Sequence, residues 1–118
     1  MMDNNEMNRI VAEKVMGWEQ KPFASPHMVE IWVDNRGRNR IGIASYSPAT
    51  NVAQAFEALQ AWTAVDRKIR TWSIESMLCG EDVYPVYLGL SGVITWRGYA
   101  ETPALAITEA LVKAVRDG

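Results

Sequence analysis

The stretch VYLGLSGVITWRGYAETPALAITEAL, residues 86–111, holds the elements that decide the fold. Its first half is rich in β-branched and aromatic side chains, which are typical of strands, and the Ser91–Gly92 pair predicts a tight turn between two of them. Thr102 followed by Pro103 favours a helix start, because threonine caps the first turn and proline suits the first helical position. The stretch therefore predicts a β-hairpin followed by a helix. The two predicted strands of this hairpin cover residues 83–90 and 93–100.

The rest of the chain predicts two further helices and three further strands. Apolar residues that alternate with polar ones predict strands, whereas apolar residues three or four positions apart predict helices. A proline within the strand over 83–90 favours an edge position or a strand end for that residue, Pro85. The further predicted strands cover residues 27–34, 40–47 and 71–78. The first predicted helix covers about residues 4–16 and follows a capping-box pair, Asp3 and Glu6. The second follows an N-cap at Thr50 or Asn51 and ends at residues 66–70, and the third begins at Pro103.

The order of these elements is αββαβββα, which predicts an α+β protein. Helices separate the hairpins, so the expected sheet is mostly antiparallel and has five strands. Segments such as EIWV, residues 30–33, are apolar on both faces, and a sheet with one wet face would alternate more cleanly. We therefore expect an α/β/α sandwich with helices on both faces of one sheet, formed by a single domain over residues 1–118.

Composition excludes several classes of protein. The 118 residues carry a formal net charge of −2, which is not typical of a dedicated nucleic-acid-binding domain. The single cysteine allows no internal disulfide. The polar N-terminus has no apolar segment of the kind a signal peptide requires, and no apolar run approaches the ~20 residues of a membrane span. We expect no signal peptide and no membrane association.

Three segments resemble the phage ABA-sandwich family, a group of small proteins encoded by bacteriophages and prophages. They are EKVMGW (residues 13–18), YSPATNVAQAFEAL (46–59) and RGYAETPALAITEAL (97–111). Family members often carry a cysteine where this chain has Thr108. The resemblance implies an α/β/α fold, a phage origin and the host cytoplasm as location. It implies no activity, because its motifs are helix caps and helix faces. The most specific matching residues are Ala100, Thr102, Pro103, Ala104, Leu105, Ala106 and Ile107.

The residues offer little for catalysis or for a metal. His27 and Cys79 are the single histidine and the single cysteine, and a loop histidine with a buried or turn thiol is the more typical arrangement. Glu81 and Asp82 are adjacent acids in a turn, which are usually solvated rather than magnesium ligands. No phosphate-binding loop is present. We therefore expect a protein without enzymatic activity, cofactor or metal.

Strand and helix lengths predict that one end of the fold is basic. The segment DNRGRNR, residues 34–40, forms the tip of the first hairpin, with Gly37 supplying the turn. About seven strand residues span ~23 Å and about sixteen helical residues span ~24 Å, so the second helix returns to the level of that tip. Three acids, Asp34, Asp66 and Asp117, reduce the local charge to +5. The eight basic residues expected at this end are Arg36, Arg38, Arg40, Arg67, Lys68, Arg70, Lys113 and Arg116.

Two interpretations of the basic end remain open. Basic side chains at helix C-termini complement the helix dipole, at ~0.3–1 kcal/mol each, and charge on a hairpin tip discourages edge pairing. The alternative is a surface that binds an anion, because the planar guanidinium suits phosphate and carboxylate better than an ammonium does. The five tryptophans are similarly ambiguous: most belong in a core, but one can line a ligand surface.

The first functional hypothesis is a non-enzymatic phage accessory protein that works by binding. Its partner would be a host or phage protein or a small anionic nucleotide, with Trp72 or Tyr99 available for stacking. The resemblance to the phage family suggests counter-defence as its role. A homodimer through an edge strand or a helix face is compatible with the pattern. The alternative is a nucleic-acid accessory factor in phage replication or transcription; a small hydrolase is disfavoured by the single histidine. The candidate anion-binding residues are Arg36, Arg38, Arg40, Arg67, Lys68, Arg70 and Trp72.

Overall fold

A computed structural model of the chain describes residues 2–22, 30–75 and 83–117. The described residues form three α-helices and two separate antiparallel sheets of three strands each. The α+β class is therefore confirmed. The helices are α1 (Asn4–Ile10), α2 (Val52–Ala64) and α3 (Pro103–Asp117). The strands are β1 (Glu19–Pro22), β2 (Glu30–Val33), β3 (Asn39–Gly42), β4 (Arg70–Ile74), β5 (Tyr84–Leu90) and β6 (Val93–Ala100).

The prediction of a single five-stranded sheet is wrong. Strands β1, β2 and β3 form an N-terminal sheet in that order, and β4, β5 and β6 form a C-terminal sheet. Each strand pairs antiparallel with its neighbour in sequence, so no crossover through α2 has to join β3 to β4. β3 stops at Gly42, and Ile43–Ser45 forms a turn of 3₁₀ helix where the sequence pattern predicts further strand.

Strand β1 is absent from the predicted order αββαβββα, which is therefore also wrong. All four of its side chains are exposed, so its sequence, EQKP, has no apolar alternation to detect. It is an edge strand that pairs with β2, from Glu19 opposite Val33 to Pro22 opposite Glu30. A proline at its end suits this edge position.

Side-chain caps begin all three helices where the sequence predicts them. The Asp3 carboxylate accepts from the Glu6 backbone N–H at 2.8 Å, and the Asn51 side chain accepts from Gln54 N–H at 3.1 Å. Thr102 Oγ1 accepts from the backbone N–H of Leu105 at 3.2 Å. These bonds satisfy N–H groups that have no partner within the helix. After α1 the chain continues as a π-helical segment, Val11–Val15.

Helix α3 lies at the centre of the core, between the C-terminal sheet and α1. A side chain at Gly98 of β6 would overlap the carbonyl oxygen of Ala106, so the backbones of β6 and α3 approach closely there. The opposite side of α3 contacts α1 and the π-helical segment. As a result Ile107, Leu111 and even Thr108 are fully buried, and the Thr108 hydroxyl donates to the Ala104 carbonyl at 2.9 Å.

Helices cover one face of the C-terminal sheet, not both as predicted. Phe56 of α2 packs edge-to-face on Trp72, with ring centroids 6.0 Å apart, and Trp72 shares its sheet face with Gly98, the contact of α3. On the other face Ile94 and Tyr99 are 51% and 43% exposed. The apolar residues of β6 therefore predict helices on both faces of this sheet, whereas helices of the described residues cover only one face.

The N-terminal sheet lies beside α1, because Trp32 of β2 lines one pocket with Asn5 and Asn8 of that helix. Trp32, Trp18 before β1 and Tyr46 after β3 are each at most 7% exposed, and Trp18 meets Tyr46 edge-to-face with centroids 4.9 Å apart. The two sheets extend the protein to 51 × 32 × 23 Å, and its radius of gyration of 15.0 Å exceeds the ~13–14 Å of an average chain of this size. The core is nevertheless one continuous apolar cluster.

Candidate anion-binding site

The hairpin tip is organised around one carboxylate. Asp34 Oδ1 accepts from the backbone N–H groups of Arg36 and Arg38, both at 2.9 Å, and Oδ2 accepts from Arg38 Nε at 3.0 Å. Gly37 has φ +78°, which confirms its predicted place in the turn. Backbone hydrogen bonding from Arg38, added to by Arg36, lowers the pKa of Asp34. The charge of Arg38 is therefore largely matched by Asp34.

The other two hairpin arginines differ from each other. The Arg40 guanidinium lies 5.7 Å from the ring centroid of Trp18, in a cation–π contact. Arg36 is exposed, and among the described residues its side chain has neither an ion pair nor a hydrogen bond. Within the tip, Arg36 is thus the cation most available to a ligand.

Arg70 has a structural partner. Its Nη1 donates to the Trp62 carbonyl oxygen at 2.9 Å, and its guanidinium lies 4.9 Å from the Trp62 ring centroid. Trp62 is in the last turn of α2, where carbonyl groups lack intrahelical partners. Arg70 therefore caps the C-terminus of α2, as the dipole interpretation of the basic residues predicts.

Arg67 and Trp72 line one cleft beside the C-terminal end of α2. The cleft has a volume of about 320 Å³, and Gln60, Thr63 and Ala64 complete its lining. Trp72 is 40% exposed there, although its ring edge is held by Phe56. We call this the Arg67–Trp72 cleft. The cleft brings together a guanidinium group and an accessible aromatic ring, which the sequence indicates as two separate candidates.

The two polar side chains of the cleft add hydrogen-bonding capacity. The Thr63 hydroxyl donates to the Leu59 carbonyl at 2.9 Å, so its oxygen lone pairs remain to accept from a ligand. Gln60 is exposed and offers an amide donor and acceptor. Sequence reasoning missed both residues. The spacing 60, 63 and 64 places these residues on one side of α2, and Arg67 follows in the turn after the helix. That spacing is the signal in the sequence that could have identified them.

The remaining basic residues lie in other surroundings. The backbone N–H of Lys68 donates to Asp66 Oδ1 at 3.2 Å, and the Lys68 side chain is exposed. Lys113 Nζ donates to the Arg97 carbonyl of β6 at 2.8 Å, whereas Arg116 lies in a groove beside Met2. Among the described residues no hydrogen bond or ion pair joins the hairpin arginines to residues 66–70, so a single basic surface stays a prediction.

The described residues provide no cluster of three metal-ligating side chains. His27, Cys79, Glu81 and Asp82, the residues considered for catalysis or metal binding, lie outside the described residues. In the described part of the chain no helix is both long and apolar enough to cross a membrane.

Comparison with known proteins found no match: no protein-family profile, no curated protein and no solved structure is significantly similar to this chain.

Proposed function

We propose that this chain is a non-enzymatic phage accessory protein that binds an anionic nucleotide in the Arg67–Trp72 cleft. The observation that carries the proposal is the shared cleft itself, where a guanidinium and a 40% exposed indole line the same space. A nucleotide joins a flat base to a phosphate, so it matches both groups at once. The Gln60 amide and the Thr63 hydroxyl suit the polar edge of a base.

The energies favour the nucleotide over a bare anion. Stacking of a base on an aromatic side chain contributes ~1–3 kcal/mol, and a charge-assisted hydrogen bond from arginine ~1.5–3 kcal/mol. The C-terminal dipole of α2 opposes an anion by ~0.3–1 kcal/mol, and the Arg70 cap reduces that opposition. With ~0.5–1.5 kcal/mol from each of the Gln60 and Thr63 hydrogen bonds, the mid-range total is about 5–6 kcal/mol. We therefore expect a dissociation constant near 0.1 mM, between about 10 µM and 1 mM.

The proposed role is counter-defence in the host cytoplasm. A protein that sequesters a nucleotide signal needs a binding site and no turnover, which fits the chemistry of the cleft lining. The exposed cation Arg36, outside the cleft, favours the approach of a negatively charged ligand. Exposed cations also suit an acidic surface on a host or phage protein, or on a second copy of this chain. Binding of such a partner is the alternative form of this proposal.

A nucleotide titration followed by tryptophan fluorescence tests the proposal. Adenosine and guanosine triphosphates are the probes, and adenosine and inorganic phosphate test the base and the phosphate separately. We expect Arg67→Ala and Trp72→Leu each to weaken nucleotide binding about tenfold. Lys68→Ala is the matched control, because it removes a charge from the same turn but does not line the cleft. Equal affinity in all four proteins, or conversion of the nucleotide to a product, would overturn the proposal.

The alternative function, a nucleic-acid accessory factor, is favoured by a different surface. On the uncovered face of the C-terminal sheet Tyr87 and Tyr99 meet edge-to-face with centroids 6.4 Å apart, and the Arg97 guanidinium lies 6.0 Å from the Tyr87 ring centroid. Tyrosines on adjacent strands can stack the bases of a single strand. Binding of this kind falls steeply with salt, and Tyr99→Ala weakens it while Arg67→Ala does not.

A further inference from the structure

The C-terminal ends of α2 and α3 border a half-open cavity of about 560 Å³. The π-helical segment closes one side of it and the β5–β6 hairpin another. Its apolar walls are formed chiefly by Trp62, Val65, Ile69, Leu90, Trp96 and Val115. We call it the Trp62–Trp96 cavity. It shares no lining residue with the Arg67–Trp72 cleft.

The walls of this cavity are aromatic and partly open to solvent. The Trp62 and Trp96 rings meet edge-to-face at 87°, with centroids 6.1 Å apart. Val65 is 69% exposed and Ile69 39%, so two branched apolar side chains remain accessible in this part of the surface. Burial of this apolar surface beneath an apolar ligand contributes ~25 cal/mol per Å² to the free energy of binding. Cavities of this size and lining are typical of small-molecule sites.

Two cations and no acid line the cavity within the described part of the chain. Lys14 is exposed, and Arg70 is half-buried and fixed in place by the Trp62 carbonyl. That bond uses Nη1 of Arg70, which leaves Nε and Nη2 to donate to a ligand. The attraction between a desolvated anion and two cations is larger than the ~0.3–1 kcal/mol by which each helix C-terminus repels the anion. The charges of the lining therefore select an acidic ligand.

We propose that the Trp62–Trp96 cavity binds an amphipathic carboxylate, a molecule with one carboxylate and an apolar chain or ring. The chain or ring packs against Trp96, Val65 and Ile69, and the carboxylate meets Arg70 and Lys14. A neutral apolar molecule lacks the charge for this pair of cations, and a short acid lacks the apolar body. The proposal is independent of the nucleotide cleft, because the two sites use different side chains.

Decanoate is the probe for affinity and 11-bromoundecanoate the probe for position, since bromine quenches a tryptophan it touches. We expect decanoate to bind at least tenfold more tightly than decanol or butyrate. Lys14→Gln should weaken decanoate binding about fivefold and leave decanol binding unchanged. Lys68→Gln, which removes an exposed charge outside the cavity, should change neither affinity. The brominated acid loses quenching in Trp62→Phe and in Trp96→Phe, whereas Trp72→Phe, in the other cleft, retains it.

Three results would overturn this proposal: equal affinity for decanoate and decanol, equal effects of Lys14→Gln and Lys68→Gln, or quenching that depends on Trp72 instead of Trp62 and Trp96. Lys14 is exposed, so its glutamine variant keeps the fold and separates loss of binding from loss of structure. Saturating guanosine triphosphate displaces no decanoate, and displacement would assign both ligands to one site. Failure of decanoate binding leaves the nucleotide titration unaffected, so the two proposals fail separately.

Discussion

The guanidinium of Arg70 lies 4.9 Å from the ring centroid of Trp62 and donates to the carbonyl oxygen of the same residue at 2.9 Å. One arginine thus packs on the last buried aromatic residue of α2 and caps that helix. The arginines of the hairpin tip and of the segment after α2 fall into two groups. Arg38, Arg40 and Arg70 have partners within the fold, whereas Arg36 and Arg67 are exposed, and their side chains have no ion pair or cation–π contact among the described residues.

Arg70→Gln is expected to lower the free energy of unfolding by about 1–2 kcal/mol. The substitution removes a charged hydrogen bond to a helix C-terminus and a cation–π contact, each worth of order 1 kcal/mol when partly buried. Urea denaturation followed by circular dichroism measures the change. Lys68→Gln removes a nearby exposed charge and should leave stability within ~0.5 kcal/mol. Equal effects of the two substitutions would mean that Arg70 is not a cap.

The hairpin tip should loosen at low pH. Hydrogen bonds from Arg38 and Arg36 lower the pKa of Asp34 from its ordinary value of 3.8, so the carboxylate stabilises the tip fully above that pH. The contribution is lost as the pH falls through the lower pKa of the folded state. Amide exchange at Arg36 and Arg38 reports it directly. We expect Asp34→Asn to speed this exchange at pH 6, and its difference from the wild type to shrink as the pH falls below 3.8. A difference that stays constant down to the pH at which the protein unfolds would contradict this account.

Gly98→Ala should destabilise the protein severely, by about 3 kcal/mol. A methyl group there meets the Ala106 carbonyl oxygen and the Ala110 backbone nitrogen, neither of which can move without shifting α3. Thermal unfolding measures the loss. Gly42→Ala is the control: its nearest contact is the Ser45 hydroxyl at 3.8 Å and its φ is −60°, so it should be close to neutral. Similar melting temperatures for both variants would show that α3 does not pack this closely.

Tyr46→Phe should stabilise the protein by about 1 kcal/mol. The ring is 3% exposed, and its hydroxyl has no hydrogen-bond partner among the described residues. Burial, and to a lesser degree the charge of Glu57, raises the pKa of this phenol above its usual range. Removing a buried hydroxyl without a partner relieves its desolvation penalty. Tyr99→Phe, at a 43% exposed ring, should leave the unfolding free energy unchanged. A loss of stability in Tyr46→Phe would reveal a partner for the hydroxyl.

Local signals carried most of what the sequence predicts correctly. The caps at Asp3, Asn51 and Thr102 act within one helical turn, and the Ser91–Gly92 turn, with φ of 52° and 84°, depends on two residues. The bounds of β6 also match the prediction, because its side chains favour strand throughout. Information of this kind is contained in short segments and needs no knowledge of distant contacts.

The division of the strands into two sheets is harder to predict from the sequence, because it depends on contacts between distant residues. Whether β3 pairs with β4 depends on a contact across α2, and the residues of both strands suit an edge as well as a centre. Strand β1 is fully exposed and carries no hydrophobic period. The sequence indicates Arg67 and Trp72 as candidate binding residues but does not predict the cleft, because their meeting depends on how α2 lies on β4, where Phe56 packs on Trp72.

The central claim, that the Arg67–Trp72 cleft binds a nucleotide, is tested most directly by the indole N–H resonances of the five tryptophans during a titration with guanosine triphosphate. Binding in the cleft moves the Trp72 signal first and most, and leaves Trp18, which does not line the cleft, in place. Arg67→Ala removes the shift, whereas Lys68→Ala retains it. A titration in which Trp72 stays unmoved at 5 mM nucleotide, well above the ~1 mM limit expected here, would contradict the claim.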